Sequence, residues 1–226
     1  MPTTYTEGSY PSDWLKGEQL DPTHFSRENV IVLAGSGAER ALTSGMVLGK
    51  ITKGTVTTAA DGGNTGDGDF AATPTAGAAA VAGAYELEIV EAAANAGRFI
   101  VRDPQGDVIA EGNVAEAFAA GGLAFTLDDG ANDFVVGDKF TITVAAGNGK
   151  VVQLDLAGTD GTEDAYGLLF DDVTAPDAVD AQGVAVVRNA RIDPSKITWP
   201  AGASGAQIAA GLALLAAQGI LAGKGE

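Results

Sequence analysis

The chain has 226 residues, with 30 Asp and Glu against 13 Lys and Arg, a formal net charge of −17 and no cysteine. A surface this negative repels phosphate backbones and anionic lipid, which argues against nucleic acid and membrane as partners, and without Cys neither disulfide nor thiolate chemistry is available. Hydrophobic residues make up 46% and charged residues 19%, enough to bury a core, while 32 Gly and only 6% aromatics suit thin β-structure with tight turns.

Residues 1–29 are polar and interrupted by Pro2, Pro11 and Pro22. They show no basic start and no apolar run, so no signal peptide is expected. Yet they carry Tyr5, Tyr10, Trp14 and Phe25, a high share for a tail in a chain with 2 Trp, 4 Tyr and 8 Phe. This composition predicts an arm, unordered over 1–24 in the free protein, that orders on a partner through those aromatics.

NVIVLAG (29–35) reads as a first strand, an apolar run closed by Gly, and ALTSGMVLGKIT (41–52) as a second with alternating character. Residues 55–83 are rich in Gly, Ala and Thr with almost no large apolar side chain, and read as a linker. Residues 84–149 then read as an inserted all-β unit. YELEIVEA (85–92) alternates; RFIVRDPQGDVIAEG (98–112) is a hairpin turning at Asp103-Pro104-Gln105-Gly106; LAFTLDDG (123–130) and DKFTITVAA (138–146) are further strands. Its expected core is Leu87, Ile89, Phe99, Val101, Phe125, Phe140 and Ile142. Strands follow within 147–158, 165–173 and 183–192, the last with a run (Val184, Ala185, Val186, Val187) expected to be buried on both faces. Residues 30–54 and 150–226 would then form one base domain interrupted by the insertion.

The chain closes on ITWPAGASGAQIAAGLALLAAQGILAGKGE, uncharged from Ala201 to Gly223. Pro200 keeps Trp199 out of α geometry, Ser204 and Gln207 have capping-box spacing, and Gly219 stands where a left-handed terminator belongs, with Leu215 and Ile220 as the accompanying apolar pair. The spacing predicts a helix over 205–218, about 21 Å long against a hydrocarbon core of ~30 Å. Ile208, Leu212 and Leu215 form its stripe, and a helix with no polar face calls for burial in the core, against a neighbouring subunit, or both.

Nothing in the sequence assembles an active site. The single histidine, His24, stands in the polar arm; GSGAER (35–40) and GNGK (147–150) lack the context of phosphate loops; DGGNTGDGD (61–69) fails both EF-hand and repeat-type calcium patterns. Asp128-Asp129 and Asp171-Asp172 are adjacent on strands and point to opposite faces. No enzyme, metal or cofactor is expected.

The stretches SRENVIVLAGSGAERALTSGMVLGKIT and AYGLLFDDVTAPDAVDAQGVAVVRNARIDPSKITWP, followed by the Ala/Leu helix, resemble in order and spacing the lambda-type head decoration protein family of tailed bacteriophages. The resemblance covers 25–54 and 150–222. It implies a mostly β base with a short C-terminal helix that trimerises, caps three-fold positions of an expanded head and stabilises it against internal DNA pressure. It implies placement on the outer surface of the virion after synthesis in the host cytoplasm, with the major capsid protein as partner. Tyr5, Tyr10, Trp14 and Phe25 would sit on an arm that adds to capsid-protein strands. Trp199, Pro200, Ile208, Leu212 and Leu215 would form a trimer or core contact. The insertion departs from the small family members and resembles Ig-like modules of phage structural proteins; it is expected to project outward as a knob. The alternative reading is a phage tail or surface adhesion module whose insertion binds a host glycan or surface.

Overall fold

A computed structural model describes residues 9–21 and 24–223. Strands dominate, and the described helices are one turn, Pro11–Trp14, and the C-terminal Gly205–Ala217. None of the described helices is long and apolar enough to cross a membrane. The chain divides into two compact units, 1–51 with 149–226, and 52–148.

The first unit is built on a closed five-stranded barrel of Val151–Gln153, Arg27–Val32, Ala181–Val186, Ala165–Leu169 and Val47–Lys50. Adjacent residues on its strands face opposite sides, and both sides are buried. Val47, Leu168 and Val186 enter one apolar cluster while Leu48, Leu169 and Ala185 enter another, as period-2 side chains on a doubly covered strand must. Ala185, Val186 and Val187 are buried as expected, and Val184 is half-buried. The second expected strand is two: Arg40–Leu42 pairs with Val173–Ala175, and Val47–Lys50 joins the barrel. Thr43 to Met46 forms the turn between them, with Met46 N–H donating to Thr43 O at 3.1 Å and Gly45 at φ 77°.

A three-stranded sheet runs Leu15–Glu18, Ala190–Ile192, Ile220–Ala222. The C-terminal helix leads into its last strand. Its N-terminus carries both halves of the capping box. At the other end Gly219 takes φ 81° and donates to Ala216 O at 2.9 Å, the bond of a Schellman stop.

The second unit packs two antiparallel sheets face to face. The larger runs Val108–Asn113, Ala96–Arg102, Gly83–Ala93, Lys139–Ala146, Lys53–Ala60; the smaller joins Ala117–Ala120 and Leu123–Asp128 to Asp69–Phe70 and Thr75–Ala76. Leu87, Ile89, Phe99, Val101, Phe125, Phe140 and Ile142 share one buried cluster. In it the rings of Phe118 and Phe125 stack at 4.7 Å and Phe70 meets Phe125 edge-on at 5.3 Å, arrangements that add to the area buried. The hairpin turn at 103–106 forms as read, with Gly106 N–H donating to Asp103 O at 2.9 Å and Gly106 at φ 92°.

The expected linker differs. Lys53–Ala60 is an edge strand, and Asp69–Phe70 and Thr75–Ala76 pair with Leu123–Asp128. Lys53, 5% exposed, donates through Nζ to Gly77 O at 3.1 Å and Ala78 O at 3.0 Å. A Thr-rich strand has strand propensity but needs few apolar side chains where its faces are uncovered, as over 54–60, exposed except at the half-buried Val56. Apolar content is therefore a poor guide to it.

Asp138, 3% exposed, closes the loops on this unit: its carboxylate accepts from Thr65 N–H and Gly66 N–H, each at 2.9 Å, and Val135 N–H at 3.0 Å. Burial alone would raise its pKa, but these three backbone donors outweigh it and hold the group below its usual value. The folded pKa is depressed, so its stabilisation is complete above the unfolded value of ~3.9 and is lost as pH falls through the folded one. The urea midpoint of this unit is expected to drop below about pH 4, and Asp138→Ala should cost about 2–4 kcal/mol at neutral pH by leaving three N–H groups unpaired. Ala115 sits at φ 63°, a conformation costing roughly 1–2 kcal/mol with a Cβ. Ala115→Gly should raise stability by about 0.5–1 kcal/mol in the same denaturation series.

Candidate functional site

On the first unit the N-terminal strand Leu15–Glu18 and the C-terminal strand Ile220–Ala222 flank Ala190–Ile192 on either side. Tyr10 N–H donates to Asp13 Oδ2 at 2.9 Å and Asp13 N–H returns to Tyr10 O at 2.9 Å, closing the turn Pro11–Trp14. Pro11 suits its first helical position because no donor is needed there. The turn delivers Trp14 into the core and starts the strand Leu15–Glu18, which pairs antiparallel with Ala190–Ile192, Leu15 opposite Ile192 and Glu18 opposite Ala190.

Trp14 is a correction to the reading of 1–29 as an arm. It is 0% exposed, packed with Val47, Leu168, Ile192, Leu215 and Ile220, and donates from Nε1 to Ser44 Oγ at 3.0 Å. Ser44 in turn donates to Phe170 O at 2.6 Å. Gly45 lies under the indole, where a Cβ would stand 2.8 Å from Trp14 Cδ1. A side chain so enclosed holds this chain together and is unavailable to a partner. The physical reason is area: Trp is the largest apolar surface in the segment, and the first unit has a cavity that fits it. Where an arm without order was expected, Pro11–Trp14 is a helical turn and Leu15–Glu18 and Leu20–Asp21 are strands. Tyr5 lies outside the described residues.

Tyr10 and Phe25 remain outside, 53% and 58% exposed. Phe25 lies on His24–Phe25, which pairs with Leu20–Asp21, and its carbonyl accepts from Arg188 Nη1 at 3.0 Å. Between them Glu18 accepts from Ser26 Oγ at 2.6 Å and Arg27 Nε at 2.8 Å and is ion-paired with the Arg27 guanidinium. Hydrogen bonding from Arg27 holds the Glu18 carboxyl below its usual range, and the guanidinium lies 3.7 Å over the Phe170 ring, a cation–π contact. An open groove of about 600 Å³ runs beside this strand, bordered by Gly17, Gln19, Asn189, Arg191 and Leu221.

The C-terminal helix shows two faces. Leu215 and Gly211 are buried; Ile208, Leu212, Trp199 and Pro200 are half-buried. Trp199 lies across Gly211, where a Cβ would come within 2.5 Å of Trp199 Cζ3. So Trp199, Leu212 and Leu215 belong to the core cluster or pack on it. The opposite face, with Ala206, Ala210, Ala213, Leu214 and Ala217, is exposed and uncharged. The sequence left core and subunit contact open for this helix; the structure gives the stripe to the core and leaves the alanine face uncovered.

The family model of bacteriophage lambda head decoration protein D matches residues 4–220. No curated protein matches. Among solved structures, two crystal forms of FlgL from Xanthomonas campestris align at 21% and 22% identity with TM-scores of 0.33 and 0.32, covering 46% and 47% of this chain. They cover 34% and 33% of those chains, so the alignment spans about a third of their length.

Trp14→Ala is expected to cost about 3–5 kcal/mol in urea denaturation, the range for emptying a buried aromatic site. Tyr10→Ala and Phe25→Ala should each stay within about 0.5 kcal/mol of the parent, as exposed substitutions do.

Proposed function

The chain belongs to the bacteriophage lambda head decoration protein D family, and we propose that it acts as a cement protein: a trimer seated at three-fold positions of an expanded head, bound to the major capsid protein on the outer surface and stabilising the shell against the pressure of packaged DNA. The observation that carries this reading is the family match over residues 4–220. A phage head decoration protein is a structural component of the virion, so recognition surfaces matter here and catalytic groups do not.

Within that reading the residues take separate roles. Tyr10 and Phe25 contact the capsid, with Tyr5 beyond them in sequence. Trp14 anchors the segment that carries them, so that docking side chains are presented from an ordered base and little ordering entropy is lost on binding. The uncharged alanine face of the C-terminal helix, with Leu214 at its margin, contacts neighbouring copies; Trp199 and Pro200 fix the approach of the chain into that helix, and Leu212 and Leu215 hold it to the core. Ile208, half-buried, lies on the same side of the helix as Gly211 and Leu215. Three copies on one symmetry axis engage three lattice sites at once, so contacts that are weak singly gain by avidity.

Sedimentation of the free protein and co-sedimentation with expanded heads test this. The expected result is a trimer that binds heads, and a Tyr10→Ala/Phe25→Ala variant that folds normally but binds at least about tenfold more weakly, a loss of ~1.4 kcal/mol. Unchanged head affinity would remove these side chains from the contact, and absence of any head binding by the intact protein would overturn the reading. The insertion is dispensable in it. Ile51 N–H donates to Lys150 O at 2.9 Å and Gly149 N–H to Ile51 O at 3.0 Å, so the chain ends flanking residues 52–148 are already held together. Replacing 52–148 with a short Gly/Ser turn should leave a folded base that still binds heads.

A further inference from the structure

The five-stranded sheet of the second unit ends on one side in Lys53–Ala60, eight residues long and paired only with Lys139–Ala146. Edge strands are a standing risk of unwanted pairing, and proteins blunt them with charge, proline, bulges or a covering element. Residues 54–60, Gly-Thr-Val-Thr-Thr-Ala-Ala, carry no charge and no proline, in a chain with 30 acidic residues. Every one of them is exposed except Val56, which is half-buried. The opposite edge, Val108–Asn113, does carry charge: Glu111, ion-paired with Arg98 at 2.7 Å.

The direction of the unused groups follows from the pairing. Asp61 N–H donates to Lys139 O at 2.9 Å, and Ala60 stands opposite Phe140. In an antiparallel ladder this makes Ala60–Phe140 a non-hydrogen-bonded pair and its alternates likewise. The N–H and C=O groups of Val56, Thr58 and Ala60 therefore point away from Lys139–Ala146, toward the free edge.

We propose that this edge is a self-pairing surface, on which Lys53–Ala60 of a second copy adds antiparallel about a two-fold axis passing through Thr58. In that register Thr58 faces Thr58 and Val56 faces Ala60. Each such pair exchanges both of its outward N–H···O bonds. The charges argue for a second copy as the occupant. Asp61, the first residue past the strand, is tied back by Gly63 N–H at 2.8 Å and falls opposite Thr55. No carboxylate faces a carboxylate along the paired edge of two chains that each carry −17. The contact is isologous and closes on itself, so it yields pairs rather than filaments through this edge.

The pairing is independent of the trimer proposed above, and the test separates them. Thr58→Pro removes an N–H that this chain's own sheet does not use, a position where an edge strand tolerates proline. Sedimentation equilibrium of the full chain over rising concentration should show association beyond the base species, weakened about tenfold or more in Thr58→Pro with the urea midpoint kept; the trimer is read as the species that survives in this variant. The chain has no Cys, so Thr58→Cys under mild oxidation should give a disulfide-linked dimer, since a hydrogen-bonded antiparallel pair sets its Cα atoms about 5.5 Å apart. Thr57→Cys, which the register places opposite Ala59, should link far more slowly. The proposal is overturned if the parent does not associate beyond its base species, if Thr58→Pro associates as the parent does, or if the two Cys variants link at the same rate. Should Thr58→Pro unfold, the Cys comparison decides.

Discussion

Two hydrogen bonds at one crossing, Ile51 N–H to Lys150 O and Gly149 N–H to Ile51 O, allow a single chain to build two cores. They tie the strand that leaves the barrel to the strand that returns, across the whole of residues 52–148. The barrel closes with Val151 beside Val32 and Lys50. Each unit accordingly has apolar clusters of its own, one in the second unit and two in the first. In the first, the strands separate the barrel interior from the layer that holds Trp14 and the helix.

That outer layer depends on small residues opposing large ones. Gly45 makes room for Trp14, and Gly211 makes room for Trp199. The two indoles lie against the same cluster, and both are fixed by elements at the ends of the chain. The N-terminal segment and the C-terminal helix share a core, which couples the segment carrying the exposed Tyr10 to the rest of the first unit. Surface ion pairs such as Arg98–Glu111 add little to stability. Asp138, which binds three backbone donors away from water, contributes more because its loss strands those donors.

The sequence by itself determined a good deal. Alternation marked the strands within 85–92, 98–112, 123–130 and 138–146 and seven of the unit's buried side chains, though not Ala117–Ala120; turn chemistry marked the bend at 103–106, and the Ser204–Gln207 spacing with Gly219 marked both ends of the helix. The order of motifs in 25–54 and 150–222 pointed to the family. These signals are local, carried by residues within a few positions of one another, and local rules read them directly.

Tertiary structure decided the rest. Trp14 reads as a docking aromatic in a polar segment, and only the pocket formed by residues 44–45, 168, 192 and 215, far away in sequence, makes it core. Leu15–Glu18 is a strand because Ala190–Ile192 lies beside it. Lys53–Ala60 is one because Lys139–Ala146 does, although its own Gly, Thr and Ala residues suggest a linker. The alanine helix has apolar residues all round, so the sequence could not say which face is buried; the position of Trp199 over Gly211 chooses it. In each case the deciding free energy is a long-range pairing or packing contact, and such contacts leave no periodic mark on the segment they order.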